Sequence, residues 1–122
     1  MSDSKLIDSS VWIEYLFNNK FAELIDASHV LLLSTLSLFE IEKKLKKENI
    51  DHSKIKRCMG FIHLKSLIVP VHEEIAEKAV RISLEHDLAA IDALIYATAV
   101  VSNAELFTCD NDFRGLPRVK VL

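Results

Sequence analysis

Four carboxylates stand where they could do chemistry: Asp8 in KLIDSSVW, Glu40 in STLSLFEI, Asp92 in LAAIDALIYATA and Asp110 in ELFTCDND. Asp92 demands the most explanation, because residues 89–101, AAIDALIYATAVV, read as a helix with apolar residues on every side. An ionised carboxylate in such surroundings is normally paired, protonated or bound to a metal. Leu88, Ala89, Ile95 and Tyr96, three or four positions away, offer it no opposite charge on its own helix. With a helix start near Asp87 or Leu88, Asp92 falls in the second turn, beyond capping range. Its partner must come from elsewhere as a base, a polar network or a cation, and a functional site is the preferred reading. The other acids have local alternatives. Asp8, or Ser9 or Ser10 after it, could cap a helix beginning near Val11. Ser37-x-x-Glu40 has the form of a capping box, a role that does not exclude a site. Asp110 and Asp112 lie in a polar turn before Gly115 and Pro117, where Asp commonly bonds its own backbone.

The elements that must position these acids alternate. Short apolar runs at 5–8, 30–34, 66–71, 105–110 and 119–122 read as strands. Helical patterns fill the gaps at 11–17, 21–27, 38–50, 55–64, 73–86 and 89–101. Such alternation predicts an α/β fold with a mainly parallel sheet covered on both faces. Ligands of open parallel sheets sit beyond the carboxyl ends of the strands. Asp8 and Asp110 close two strands, while Glu40 and Asp92 occupy early-helix positions that can project over strand ends. The four are therefore expected in one cleft. Clustered carboxylates raise one another's pKa unless a cation intervenes. An all-oxygen site suits Mg²⁺ or Mn²⁺ rather than zinc. One or two such ions can activate water and neutralise charge developing on a phosphodiester.

The 122 residues, half of them hydrophobic and 27% charged, predict one folded domain spanning 1–122. No apolar run approaches the roughly 18 residues of a membrane span. The start, MSDSKLID, lacks the features of a secretion signal. Cys58 and Cys109 have no metal-type spacing, so a reduced, cytoplasmic protein is expected. The net charge of −3 conceals an asymmetry. Between 43 and 65, eight bases (Lys43, Lys44, Lys46, Lys47, Lys54, Lys56, Arg57 and Lys65) face only two acids, while the rest of the chain has seven bases and sixteen acids. That segment reads either as solvated helix faces or as a path for phosphates. Trp12, Tyr15 and Phe17 form an aromatic stripe better read as core or dimer contact than as a base-stacking surface. His86-Asp87 superficially resembles the HD phosphohydrolases, but that fold is all-helical and the strands argue against it. The five histidines form no pair with metal-ligand spacing.

Taken together, LIDSSVWIEYL, STLSLFEI, LAAIDALIYATA and LFTCDNDF resemble the four acidic motifs of PIN-domain nucleases over essentially the whole chain. The likeness is to the small VapC-like toxins of toxin–antitoxin pairs. It implies a three-layer α/β/α sandwich, Mg²⁺- or Mn²⁺-dependent endoribonuclease activity and a homodimer. Carried over, Asp8, Glu40, Asp92 and Asp110 would bind metal directly or through water, with Asp112 as a fifth member. Ser10 would orient Asp8, and Thr108 would do the same beside Asp110. Ile91 stands where the family usually has a smaller residue. Lys43, Lys44, Lys46, Lys47, Lys54, Lys56 and Arg57 become a candidate RNA path. A cognate antitoxin is an expected partner, its tail in the acidic cleft. The alternatives are a stand-alone RNA-processing nuclease and a PIN-like module that binds RNA or protein without cutting.

Overall fold

The computed structural model describes residues 4–27 and 29–122. Five short apolar runs become strands: β1 (Lys5–Ile7), β2 (Leu31–Ser34), β3 (Ser66–Val69), β4 (Glu105–Thr108) and β5 (Val119–Val121). They form one sheet in the order β3-β2-β1-β4-β5, with every pairing parallel. Among the described residues, six helices connect them: α1 (Ser9–Asn18), α2 (Ala22–Ile25), α3 (Thr35–Lys47), α4 (His52–Lys65), α5 (Glu73–His86) and α6 (Ala90–Val101). A single 3₁₀ turn, Asn111–Phe113, follows β4.

Alternation along the strands builds two cores. Leu6 and Leu106 point into one with Ile75, Ile82 and Ile95 from α5 and α6. Ile7 and Phe107, their immediate neighbours, point into the other with Val11, Trp12, Ile41 and Ile62 from α1, α3 and α4. Because successive strand side chains leave opposite faces, one apolar run can supply both layers. The result is a three-layer α/β/α sandwich. Trp12 is fully buried and meets the rings of Tyr15 and Phe61 edge-on, so the aromatic stripe is largely core; Phe17 is the exposed member at 37%. Among the described residues, no helix is long and apolar enough to cross a membrane.

Helices α1 and α4 begin two and three residues before their predicted positions, at Ser9 and His52, and the starts of α3 and α6 move as well, each for a local reason. Helix α3 begins at Thr35 rather than 38, because the Ser34 hydroxyl accepts the Leu36 N–H and caps it. The Ser37–Glu40 capping box is therefore absent: Ser37 lies inside the helix with its buried hydroxyl unpartnered among the described residues. Helix α6 begins at Ala90 rather than near Asp87, because Asp87 is left-handed (φ 54°) and closes α5. His86 ends α5 with its ring edge-on to Tyr96. Both residues of the His-Asp dipeptide thus serve a helix terminus.

The order β3-β2-β1-β4-β5 puts the reversal of winding between β1 and β4. Connections toward β2 and β3 run over one face, and the α5–α6 connection to β4 crosses the other. A crevice opens beyond the carboxyl ends of strands at such a reversal. The residues that enter it first are those following Ile7 and Thr108.

Candidate active site

Asp8 leaves β1 and caps α1 in a single step. Its Oδ1 accepts the Ser9 N–H at 2.9 Å, which satisfies a donor that the helix leaves free. Its Oδ2 accepts the hydroxyls of Ser10 (2.9 Å) and Thr108 (2.7 Å), and the residue is 7% exposed. The pairing of Ile7 with Phe107 brings Thr108 to it, and the Asp8 N–H donates to the Phe107 carbonyl at 2.9 Å. Capping and site placement are the same geometry. The two hydroxyls work in both directions: Ser10 accepts the Cys109 N–H and Thr108 accepts the Asp110 N–H, each at 3.0 Å. They tie the end of β1 to the loop that carries the next acids.

Glu40 is the sixth residue of α3, too deep to cap it, and its Oε1 accepts the Ser9 hydroxyl at 2.9 Å. Ser9 is thus a site residue that the sequence reading treated only as a possible cap. The signal for it was weak, because a serine directly after an acid at a helix start has an ordinary capping role.

Asp92 is the third residue of α6, inside the first turn rather than the second. A carboxylate there is favoured by the helix dipole. Yet it accepts no hydrogen bond among the described residues, and Ala89 provides no side-chain cap. Its pKa is pushed up to about 6, first by burial and then by the negative charges of Asp110, Asp112, Asp8 and Glu40. Asp110 begins the 3₁₀ turn and accepts the Asp112 N–H at 2.9 Å through Oδ1. The local-turn role proposed for Asp110 and its membership of the cluster again coincide. Asp92, Asp110 and Asp112 each offer a carboxylate oxygen, and the three lie within 4.8 Å of one another.

The structure thus gathers all five acids around one sheet edge. It does not bring the bases to them. Among the described residues, the ion pairs join Lys20 to Glu14, Lys44 to Glu48 and Lys46 to Glu42, leaving the five acids without a cationic side chain. The predicted basic residues spread over the outer faces of α3 and α4. Lys54 and Arg57 line a 310 Å³ depression with Tyr15, Cys58 and Phe61, and Lys56 lines another with His52 and Met59. Three oxygen donors at close quarters, with repulsion that no cationic side chain among the described residues relieves, match what a hard divalent cation requires. The donor set fits such an ion.

A PIN-domain family model matches residues 5–119. Among solved structures, the chain is similar to a toxin–antitoxin complex from Klebsiella pneumoniae, with 25% identity, 97% of each chain covered and a TM-score of 0.81. It shares the fold of VapBC2 from Rickettsia felis, at 16% identity, 97% and 96% coverage and a TM-score of 0.75. The same holds for Mycobacterium tuberculosis VapC20, a toxin that cleaves the sarcin–ricin loop, at 21% identity, 97% and 98% coverage and a TM-score of 0.73. No curated protein matches the chain. With residues 5–119 matched by its family model, the chain belongs to the PIN-domain family.

Proposed function

We propose that this protein is a divalent-metal-dependent endoribonuclease acting as the toxin of a toxin–antitoxin pair. The observation that carries the reading is Asp92: a helix-borne carboxylate with no donor among the described residues, surrounded by four other acids, which raise its pKa further. Asp92, Asp110 and Asp112 would hold Mg²⁺ or Mn²⁺, with Asp8 and Glu40 binding directly or through water. A bound ion would neutralise charge developing on the phosphodiester and lower the pKa of the attacking water.

The chain's own residues do the positioning. Ser10 and Thr108 hold Asp8 with its oxygens fixed, and Ser9 turns Glu40 toward the same edge. Preorganisation of this kind matters because ligands held by hydrogen bonds need not reorganise when the cation or substrate arrives. RNA is the favoured substrate because VapC20, which shares the fold, is a sarcin–ricin-loop-cleaving toxin. An antitoxin is the favoured partner because the Klebsiella relative is a toxin–antitoxin complex. The protein is also proposed to form a homodimer. The groove between α5 and α6, lined by Ala76, Ala79, Val80, Leu84, Ala93 and Leu94, is the face such a dimer would bury. Val80 is 62% and Leu84 81% exposed, an apolar pair that water solvates poorly.

The test is cleavage of a mixed pool of structured RNAs by purified protein in Mg²⁺, Mn²⁺ or EDTA, beside folded Asp92→Asn. Metal-dependent cutting that the variant loses is the expected result. Equal cutting by both proteins, or cutting that persists in EDTA, would overturn the assignment.

A further inference from the structure

Helix α3 carries Glu40 inward to Ser9, and one residue earlier it carries Phe39 outward. Phe39 is 63% exposed, against 37% for Phe17. A single exposed apolar residue needs no explanation. The surroundings of this one do. The Lys43 ammonium lies 5.7 Å from the centre of its ring, and a 650 Å³ groove is lined by Phe39, Glu42, Lys43, Lys46 and Lys47. Lys46 is paired with Glu42 at 3.2 Å. Lys43 and Lys47 have no acidic partner among the described residues. They follow Glu40 by three and seven positions, so they continue along α3 from the carboxylate edge.

We infer that Phe39 is a stacking platform for an unpaired base, with Lys43 and Lys47 holding the adjoining phosphates of single-stranded RNA along the outer face of α3. The identity of the nucleic acid rests on the ribonuclease reading. The kind of occupant rests on the groove itself. Three lysines against one glutamate give this groove a net positive charge, which the α5–α6 groove lacks. Cationic side chains select a polyanion, and an open ring selects bases free of a duplex. Stacking tolerates any base, so Phe39 would hold a nucleotide without reading its identity.

The experiment exploits Trp12, the single tryptophan of the chain, which is fully buried. Phe39→Trp therefore adds the first exposed indole. In an Asp92→Asn background, the protein is titrated with a mixed-sequence single-stranded RNA 12-mer, the matching duplex and inorganic polyphosphate. The single strand should quench the introduced indole, and polyphosphate should not. Phe39→Ala should weaken single-strand binding about tenfold, the scale of one lost base stack. Lys43→Ala with Lys47→Ala should lower the slope of log affinity against log salt by about 1.4.

An unquenched indole together with unchanged affinity in Phe39→Ala would overturn the inference. So would equal quenching by duplex and single strand. A change of oligomeric state in Phe39→Ala with RNA binding intact would make the ring a protein contact and overturn it as well. Quenching by the single strand, in a protein whose parent form cuts no RNA, would support the inference and remove the ribonuclease reading instead.

Discussion

At the β1–β4 side of the cleft, Asp8 accepts three hydrogen bonds, whereas at the α6 side Asp92 accepts none among the described residues. Both are aspartates near helix N-termini, and both face the same group of acids. Asp8 has its charge spread over a backbone N–H and two hydroxyls supplied by the fold. Asp92 is left to the repulsion of its neighbours. A carboxylate satisfied by the protein contributes to stability whether or not a cation is present. A carboxylate left unsatisfied costs stability until a cation arrives. One cleft therefore combines a structural anchor with a carboxylate whose charge the described residues leave uncompensated.

The comparison is broken most directly by Asp92→Asn. This change should reduce metal-dependent RNA cleavage by roughly a thousandfold, about 4 kcal/mol of barrier, while circular dichroism stays unchanged. A variant that keeps full cleavage would make Asp92 a bystander. At the other side, Thr108→Val removes a donor to Asp8 and the acceptor of the Asp110 N–H. Urea unfolding should show a loss of about 1–3 kcal/mol. An equally stable Thr108→Val protein would mean that Asp8 is no better anchored than Asp92.

A smaller effect is expected from pH in metal-free protein. The folded pKa of Asp92, about 6, lies above its ordinary value of 3.8. The fold therefore binds this proton more tightly than the unfolded chain does. The associated stability is fully present below about pH 4 and is lost as pH rises through 6. Two pKa units would correspond to nearly 3 kcal/mol, but solvent screening of this partly exposed group brings the expected loss to about 1 kcal/mol. Thermal melts across pH 4–7 should show that decline in the parent, and Asp92→Asn should flatten it. Ser9→Ala should have the mildest effect, about 0.5–1 kcal/mol, by releasing Glu40. Its cleavage rate should fall more than its stability, because Glu40 keeps its place in α3 but loses its orientation. A rate equal to the parent's would remove Ser9 from the site.

Much of this was legible in local spacing. The five strands and six helices follow from runs and periods of apolar residues, and the parallel sheet follows from their alternation. That Asp8 and Asp110 close strands is also a local fact, and parallel strands share one carboxyl edge. The errors were local too. The Ser37–Glu40 pattern concealed that Ser34 caps α3, since a serine before an apolar helix satisfies the same rule at either position. The start of α6 was misplaced because nothing in the residue pattern announces that Asp87 adopts a left-handed conformation.

Apolar spacing and strand ends were enough to say that carboxylates would meet and that oxygen-loving cations would suit them. Which acid is anchored and which is exposed to repulsion depends on contacts between residues far apart in the chain. Thr108 reaches Asp8 across 100 positions, and Ser9 reaches Glu40 across 31. A hydroxyl donates wherever an acceptor lies within about 3 Å, and only the packed sheet brings these pairs that close. The separation of Lys43 and Lys47 from the neutralised Lys44 and Lys46 arose in the same way, from side chains that the folded helix places next to particular acids.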